Sequence, residues 1–281
     1  MFRALALLPL PLLYAVCGAL AFLARLGGWR ARFVREGIAR CLPEASEAER
    51  RRVAAGFYSY LGELVAEAIH GARIDAADLA GRLRFENPEA VEEVLRGGKR
   101  VMLLAAHHCN WEWLLLRCST SFGTPLVAAY KPASREAANR ALTALRSRLG
   151  ATMIPAKQVV QYLLGQRGGV KLLALVADQS PAASSEKSQW LPFFGEETAF
   201  FRGPGWIGAK MGYQPFFVAM HRESRGRYAV RFVPLPGPVE RADPDRIIEA
   251  YVRAVEAQAR QYPEQYFWAY NRWKRTRGLY G

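Results

Sequence analysis

The chain has 281 residues, 51% of them hydrophobic, with a formal net charge of +14 and a pI near 10.0. That length supports one large core, and one catalytic domain is the simplest count. The four cysteines, Cys17, Cys41, Cys109 and Cys118, lack disulfide-framework spacing and read as reduced thiols, while the charge calls for nucleic acid, anionic lipid or an acidic carrier protein without choosing among them.

From Ala4 to Ala24 the chain is apolar and uncharged between Arg3 and Arg25, and the roughly 20 residues needed to cross the hydrocarbon core are present. This predicts a single transmembrane anchor at 1–25. Arg25, Arg30, Arg32, Arg35 and Arg40 stand against Glu36 alone, which keeps the following domain cytoplasmic. A cleaved signal peptide is the competing reading. It is disfavoured by a single basic residue, Arg3, ahead of the apolar run and by the length of that run.

Residues 26–72 read as a helical, membrane-proximal region. Gly28 to Cys41 is a basic amphipathic helix with Trp29 and Phe33 as interfacial anchors. Ser46 and Glu49 form a capping-box pattern that opens a long helix to about His70, whose side chain is expected to be solvated or favoured by the helix dipole. From Leu83 strands and helices alternate: Val101 to Ala106, Pro125 to Tyr130, Thr152 to Ile154 and Leu172 to Ala177 read as strands, with Phe216 to His221 and Tyr228 to Val233 as a strand pair. The fold class is therefore α/β, a largely parallel central sheet flanked by helices over 73–281, preceded by the transmembrane and amphipathic helices. The long segment from Asp178 to Gly205 is expected to be a functional loop, its Trp190, Phe193 and Phe194 exposed to an acyl chain or bilayer or folded over the core. The tail from Tyr266 to Arg275 mixes aromatics with basic residues, as a segment at a lipid interface or one that stacks on nucleic-acid bases would.

Chemistry concentrates at the end of the Val101 to Ala106 strand, where His107, His108, Cys109, Asn110 and Glu112 fall within six residues. A packed core would not choose that set, and clustered titratable groups mark sites. With His107 at the strand end and Glu112 in the first helical turn, the carboxylate folds back onto the imidazole. It would fix the tautomer and leave the other ring nitrogen free to take a proton from a hydroxyl. Zinc on His107, His108 and Cys109 is the competing reading. Adjacent side chains do not converge easily on one tetrahedral ion, and no second ligand pair appears.

The run His107-His108-Cys109-Asn110-Trp111-Glu112 resembles the HX4(D/E) block of the bacterial lipid A biosynthesis (lauroyl/myristoyl) acyltransferases, within the lysophospholipid acyltransferase superfamily. His108 and Cys109 stand where that family commonly has an aromatic and a glycine. Three further blocks agree in order: Tyr130-Lys131-Pro132 with Asn139-Arg140; Asp178-Gln179 with Pro192-Phe193-Phe194-Gly195 and Thr198; and Pro263-Glu264-Gln265-Tyr266-Phe267-Trp268 with Arg272-Trp273-Lys274. The resemblance implies a membrane-anchored acyltransferase at 73–281. It would move an acyl group from an acyl carrier protein thioester to a hydroxyl of a lipid acceptor, a lipid A precursor or related glycolipid, with no cofactor and no metal. By that resemblance His107 is the general base and Glu112 its partner. Asn110, Lys131, Arg140, Asp178, Gln179 and Arg202 are candidate substrate-binding residues, the cations for acceptor phosphates or the oxyanion. The expected partners are the carrier protein, the lipid acceptor and the membrane, and not nucleic acid. Other lipid acceptors remain open. So do a minor role for Cys109 as an acyl-holding nucleophile and, as the reading from another class, a non-catalytic binder of anionic lipid or nucleic acid.

Overall fold

The computed structural model describes residues 5–166, 169–181, 188–237 and 243–273. Near the N-terminus lie α1 (Leu10–Leu26), α2 (Ala31–Cys41) and α3 (Glu47–His70). The capping box forms as its residues require: Ser46 Oγ accepts from the Glu49 amide, and the Glu49 carboxylate accepts from the Ser46 amide at 2.8 Å. Helix α1 lies along α3, burying Leu13, Cys17 and Ala21, while Leu12, Val16, Leu20 and Leu23 face outward. No single helix among the described residues is long and apolar enough to cross a membrane. The pair α1 and α2, bent by 88°, reaches that length and composition only when taken together.

The domain core is a seven-stranded sheet. Its strands are β1 (Leu83–Phe85), β2 (Arg100–Ala105), β3 (Leu126–Tyr130), β4 (Thr152–Pro155), β5 (Leu172–Val176), β8 (Tyr213–Ser224) and β9 (Arg227–Pro234), in the order β1-β9-β8-β2-β5-β3-β4. Every pairing is parallel except β8 with β9, the expected strand pair. Because side chains alternate along a strand, the apolar β2 serves both layers. Val101 and Leu103 pack with Val91 of α5 (Glu89–Arg96) and Trp113 of α6 (Trp111–Ser119). Met102 and Leu104 pack with Ile207 of α9 (Gly203–Met211) and Ile248 and Tyr251 of α10 (Pro244–Gln261). Helices α4 (Ala76–Arg82), α7 (Glu136–Ser147) and α8 (Val159–Gly165) complete the helical elements.

Two expectations change, and one open alternative is resolved. The segment between Asp178 and Gly205 contains an antiparallel hairpin, β6 (Ser188–Phe193) and β7 (Glu196–Phe201), and Phe193 and Phe194 at its turn are buried on the core, the second of the two readings of that segment. The tail folds back the same way: Tyr266 and Trp268 are buried with their rings against Phe193 and Phe194 of the hairpin, Arg272 is buried against Asp178, and Lys274 and Arg275 lie outside the described residues. His70, expected in solvent, is buried beside Trp113, and burial lowers its pKa.

Candidate active site

Strand β2 ends at Ala105, and the chain turns through His107 and His108 into α6. Cys109 makes that turn with φ at +54°, the left-handed region that suits glycine, which explains why a glycine is at home in this position of the motif. Its amide donates to the Gln265 carbonyl, and its thiol is packed between the Met220 carbonyl and Gln265 Oε1. Asn110 then caps α6, its Oδ1 accepting from the Trp113 amide at 2.9 Å. The C-terminal segment straps the corner from outside, the Phe267 amide donating to the His107 carbonyl at 2.9 Å.

His107 is half-buried, and its Nδ1 lies 2.6 Å from Asp178 Oδ1, at the end of the neighbouring strand β5. Asp178 is fully enclosed. Its other oxygen accepts from Tyr266 Oη at 3.2 Å and from the buried Arg272 at 3.3 Å. Burial pushes the Asp178 carboxyl up, but the His107 imidazole and the Arg272 guanidinium outweigh it and bring the pKa down to about 2. A carboxylate held ionised there accepts the Nδ1 proton and leaves Nε2 as the free nitrogen. Gln179 Nε2 stands 3.3 Å from that nitrogen.

This geometry corrects the partner expected for His107. The Glu112 carboxylate turns away from the imidazole into the first turn of α6, where Arg146 of α7 holds it through two hydrogen bonds of 2.9 and 2.5 Å and the Trp111 indole donates a third. The physical reason is competition: a guanidinium satisfies both carboxylate oxygens at once, whereas the imidazole already has Asp178.

The corner opens on a cavity of about 640 Å³ under α6. His107, Trp111, Lys131, Arg146 and Gln179 line one part of it. Glu112, Tyr130 and Ser134 also line it, and Leu103, Leu114, Cys118, Ala128, Met153 and Ala174 give it apolar walls. The cavity exists because two alanines sit side by side in the sheet, Ala128 of β3 in register with Ala174 of β5, where larger side chains would fill the space beneath the helix.

The other residues singled out from sequence fall in different places. Asp178 serves the imidazole and is too enclosed to meet a substrate. Asn110 is fully buried, its Nδ2 donating to Glu67 of α3 at 2.6 Å, so it too is structural. Arg140 pairs with Glu136 on the exposed face of α7, and Arg202 makes a two-pronged pair with Asp245, and neither lines the cavity. His108 is buried with Nδ1 accepting from Gln258, and burial lowers its pKa to about 4, so it is neutral at pH 7 and adds no second base. The Cys109 thiol is fully buried and burial raises its pKa well above the usual range, which removes it as a nucleophile. Among the described residues no three His, Cys, Asp or Glu side chains are grouped to hold a metal ion.

Arg146, Arg272 and Glu67 went unnoticed as site residues. Arg272 was visible in the terminal block, and Arg146 lies six residues beyond Arg140 on the same helix. Glu67 had no local signal, since a glutamate in a helix ordinarily reads as solvated.

A parallel-sheet α/β domain whose imidazole–carboxylate corner opens on a cavity with both polar and apolar walls has the parts of an enzyme that handles acyl groups. The chain belongs to the bacterial lipid A biosynthesis acyltransferase family, whose profile matches residues 1–275. It is thereby an acyltransferase by family, and no curated protein sequence matches it.

Proposed function

We propose that this acyltransferase moves a fatty acyl group from an acyl carrier protein thioester to a hydroxyl of a lipid A precursor or related glycolipid. One observation carries the reading: His107, backed by a buried ionised Asp178, lines a cavity whose walls carry both polar and apolar side chains. The imidazole Nε2 takes the proton of the acceptor hydroxyl as its oxygen bonds to the thioester carbonyl carbon. On collapse of the tetrahedral intermediate the carbon–sulfur bond breaks, and the departing sulfur takes that proton from Nε2 and leaves as the carrier's thiol. Asp178 holds the ring in the tautomer this requires. Arg146, fixed by Glu112, brings positive charge toward the carbonyl oxygen, and Lys131 offers it to acceptor phosphates. The apolar part of the cavity takes the acyl chain.

The outward apolar face of α1 supports contact with lipid, and we place the protein at the cytoplasmic side of the inner membrane. The opposite face of α1 is committed to α3, which favours a helix lying in the lipid surface beside its domain. The +14 charge suits both the acidic carrier protein and an anionic membrane.

Transfer from acyl carrier protein to a lipid A precursor, followed by mass spectrometry, tests the reading. His107→Ala is expected to lower kcat by roughly 10²- to 10⁴-fold, the usual worth of a general base, while circular dichroism shows the fold intact. Wild-type rates from His107→Ala would refute the mechanism.

A further inference from the structure

A fully buried carboxylate outside the cavity joins three elements, and the transfer chemistry makes no use of it. Glu67 lies on α3 with no exposed surface. Its Oε2 accepts from Asn110 Nδ2 and from Tyr228 Oη, both at 2.6 Å. Its main-chain carbonyl accepts from the Trp113 indole at 2.8 Å, and its Oε1 accepts from Tyr14 Oη of α1, also at 2.8 Å.

The consequence follows from the chemistry of an amide, which has one donating end and one accepting end. The Trp113 amide can only donate, so it takes the Oδ1 end of Asn110 as the cap of α6, and the Nδ2 end is left to donate to Glu67. Asn110 is three residues beyond His107 and two before Glu112, so the direction of this amide sets where both lie. Tyr14 in turn is clasped on α1. The Arg225 guanidinium lies 5.3 Å from its ring centre, and the Tyr14 hydroxyl fills the place a Cβ on Gly226 would need, 2.7 Å away. The whole helix is seated by close approach at Gly62 of α3, where a Cβ would come within 2.9 Å of the Cys17 carbonyl and 3.0 Å of the Gly18 Cα.

We propose that Glu67 is a positioning residue for the His107 corner and that Tyr14 couples it to the N-terminal helix, so that full turnover requires α1 seated on α3. The inference rests on the acyltransferase reading for its kinetic arm and on the hydrogen-bond chain alone for its structural arm. A helix whose outer face meets lipid thus reports its seating to the catalytic corner through one hydroxyl, one carboxylate and one amide.

The test uses the full chain in detergent micelles with two variants that act on opposite sides of the seat. Tyr14→Phe removes the hydroxyl and keeps the ring, and Gly62→Leu wedges α1 away from α3. Each is expected to lower kcat about tenfold, the worth of one hydrogen bond to a buried charged group, with KM for acyl carrier protein within about twofold, at a temperature where circular dichroism shows both folded. The double variant is expected to lose little more than either single one, since both break the same link. Hydrogen exchange of the peptide covering residues 110–119 is expected to rise in both variants, a readout independent of activity. Unchanged exchange there in folded Tyr14→Phe and Gly62→Leu overturns the coupling, as do wild-type kcat values or losses that multiply in the double variant. A wild-type protein that transfers no acyl group refutes the functional reading instead, and the exchange result then decides the coupling by itself.

Discussion

His107 and Asp178 are 71 positions apart in the chain and 2.6 Å apart in the fold. Asp178→Asn removes the charge that selects the Nδ1–H tautomer, and the comparable substitution in hydrolytic triads lowers turnover by about 10⁴-fold. A loss of at least about 10²-fold in kcat is expected here, measured on folded protein because Arg272 also loses its partner. His108 governs a different measurement. Its folded pKa of about 4 lies below the unfolded value of roughly 6.5, so the unfolded chain binds the extra proton first as pH falls. Its contribution is therefore complete above about pH 6.5 and is lost progressively down to about pH 4, up to roughly 3 kcal/mol in all. His108→Phe is expected to flatten that part of the stability-against-pH curve, read from urea midpoints at several pH values. Asp178 acts lower on the scale: its depressed pKa gives stability above about pH 4 that disappears toward pH 2.

At the scale of elements, strands β3 and β5 and helix α6 together wall the cavity proposed to take the acyl chain. Ala174 lies on a central strand of the sheet and still keeps partial access to the cavity, because Ala128 beside it leaves the space open. Ala174→Leu fills that space without displacing a packed neighbour. It is expected to shift donor preference to shorter chains, discriminating about tenfold against the longest one that wild type accepts, as competition between acyl carrier proteins of different acyl length would show. Helix α1 offers a second element-scale test. Leu12, Val16, Leu20 and Leu23 are spaced as one helical face, and Leu20→Lys with Leu23→Lys is expected to reduce co-sedimentation with phosphatidylglycerol vesicles several-fold. Unchanged co-sedimentation would assign lipid contact to another surface.

For the whole molecule, the net charge of +14 implies long-range attraction to acidic partners, and the proposed carrier protein would be one. Raising salt from about 0.05 to 0.5 M shortens the Debye length from roughly 14 to 4 Å, so KM for acyl carrier protein is expected to rise several-fold with kcat little changed. A salt-independent KM would place the carrier on a surface where charge does not steer it.

The strand-to-helix corner at His107 was legible because its signals are local. An apolar run of strand length, a change of period and a cluster of polar residues lie within about fifteen positions, and the capping box at Ser46 is equally short-range. The alternation of strands and helices likewise carried the parallel sheet, and the ordered blocks carried the family. What the residues alone left undecided was pairing across the chain. Glu112, five positions from His107, was the near partner, but Arg146 takes both its oxygens, and the imidazole finds Asp178 because parallel pairing of β2 with β5 brings the two strand ends together. The hairpin and tail aromatics carried no mark of burial, since an aromatic cluster reads the same way facing lipid or facing a core. Glu67 was hidden because only three side chains from distant elements, Tyr14, Asn110 and Tyr228, make a buried carboxylate tolerable. Local propensity and pattern determined the elements and the corner that carries His107; sheet register, with the competition of charged groups for partners, decided which carboxylate lies against its ring.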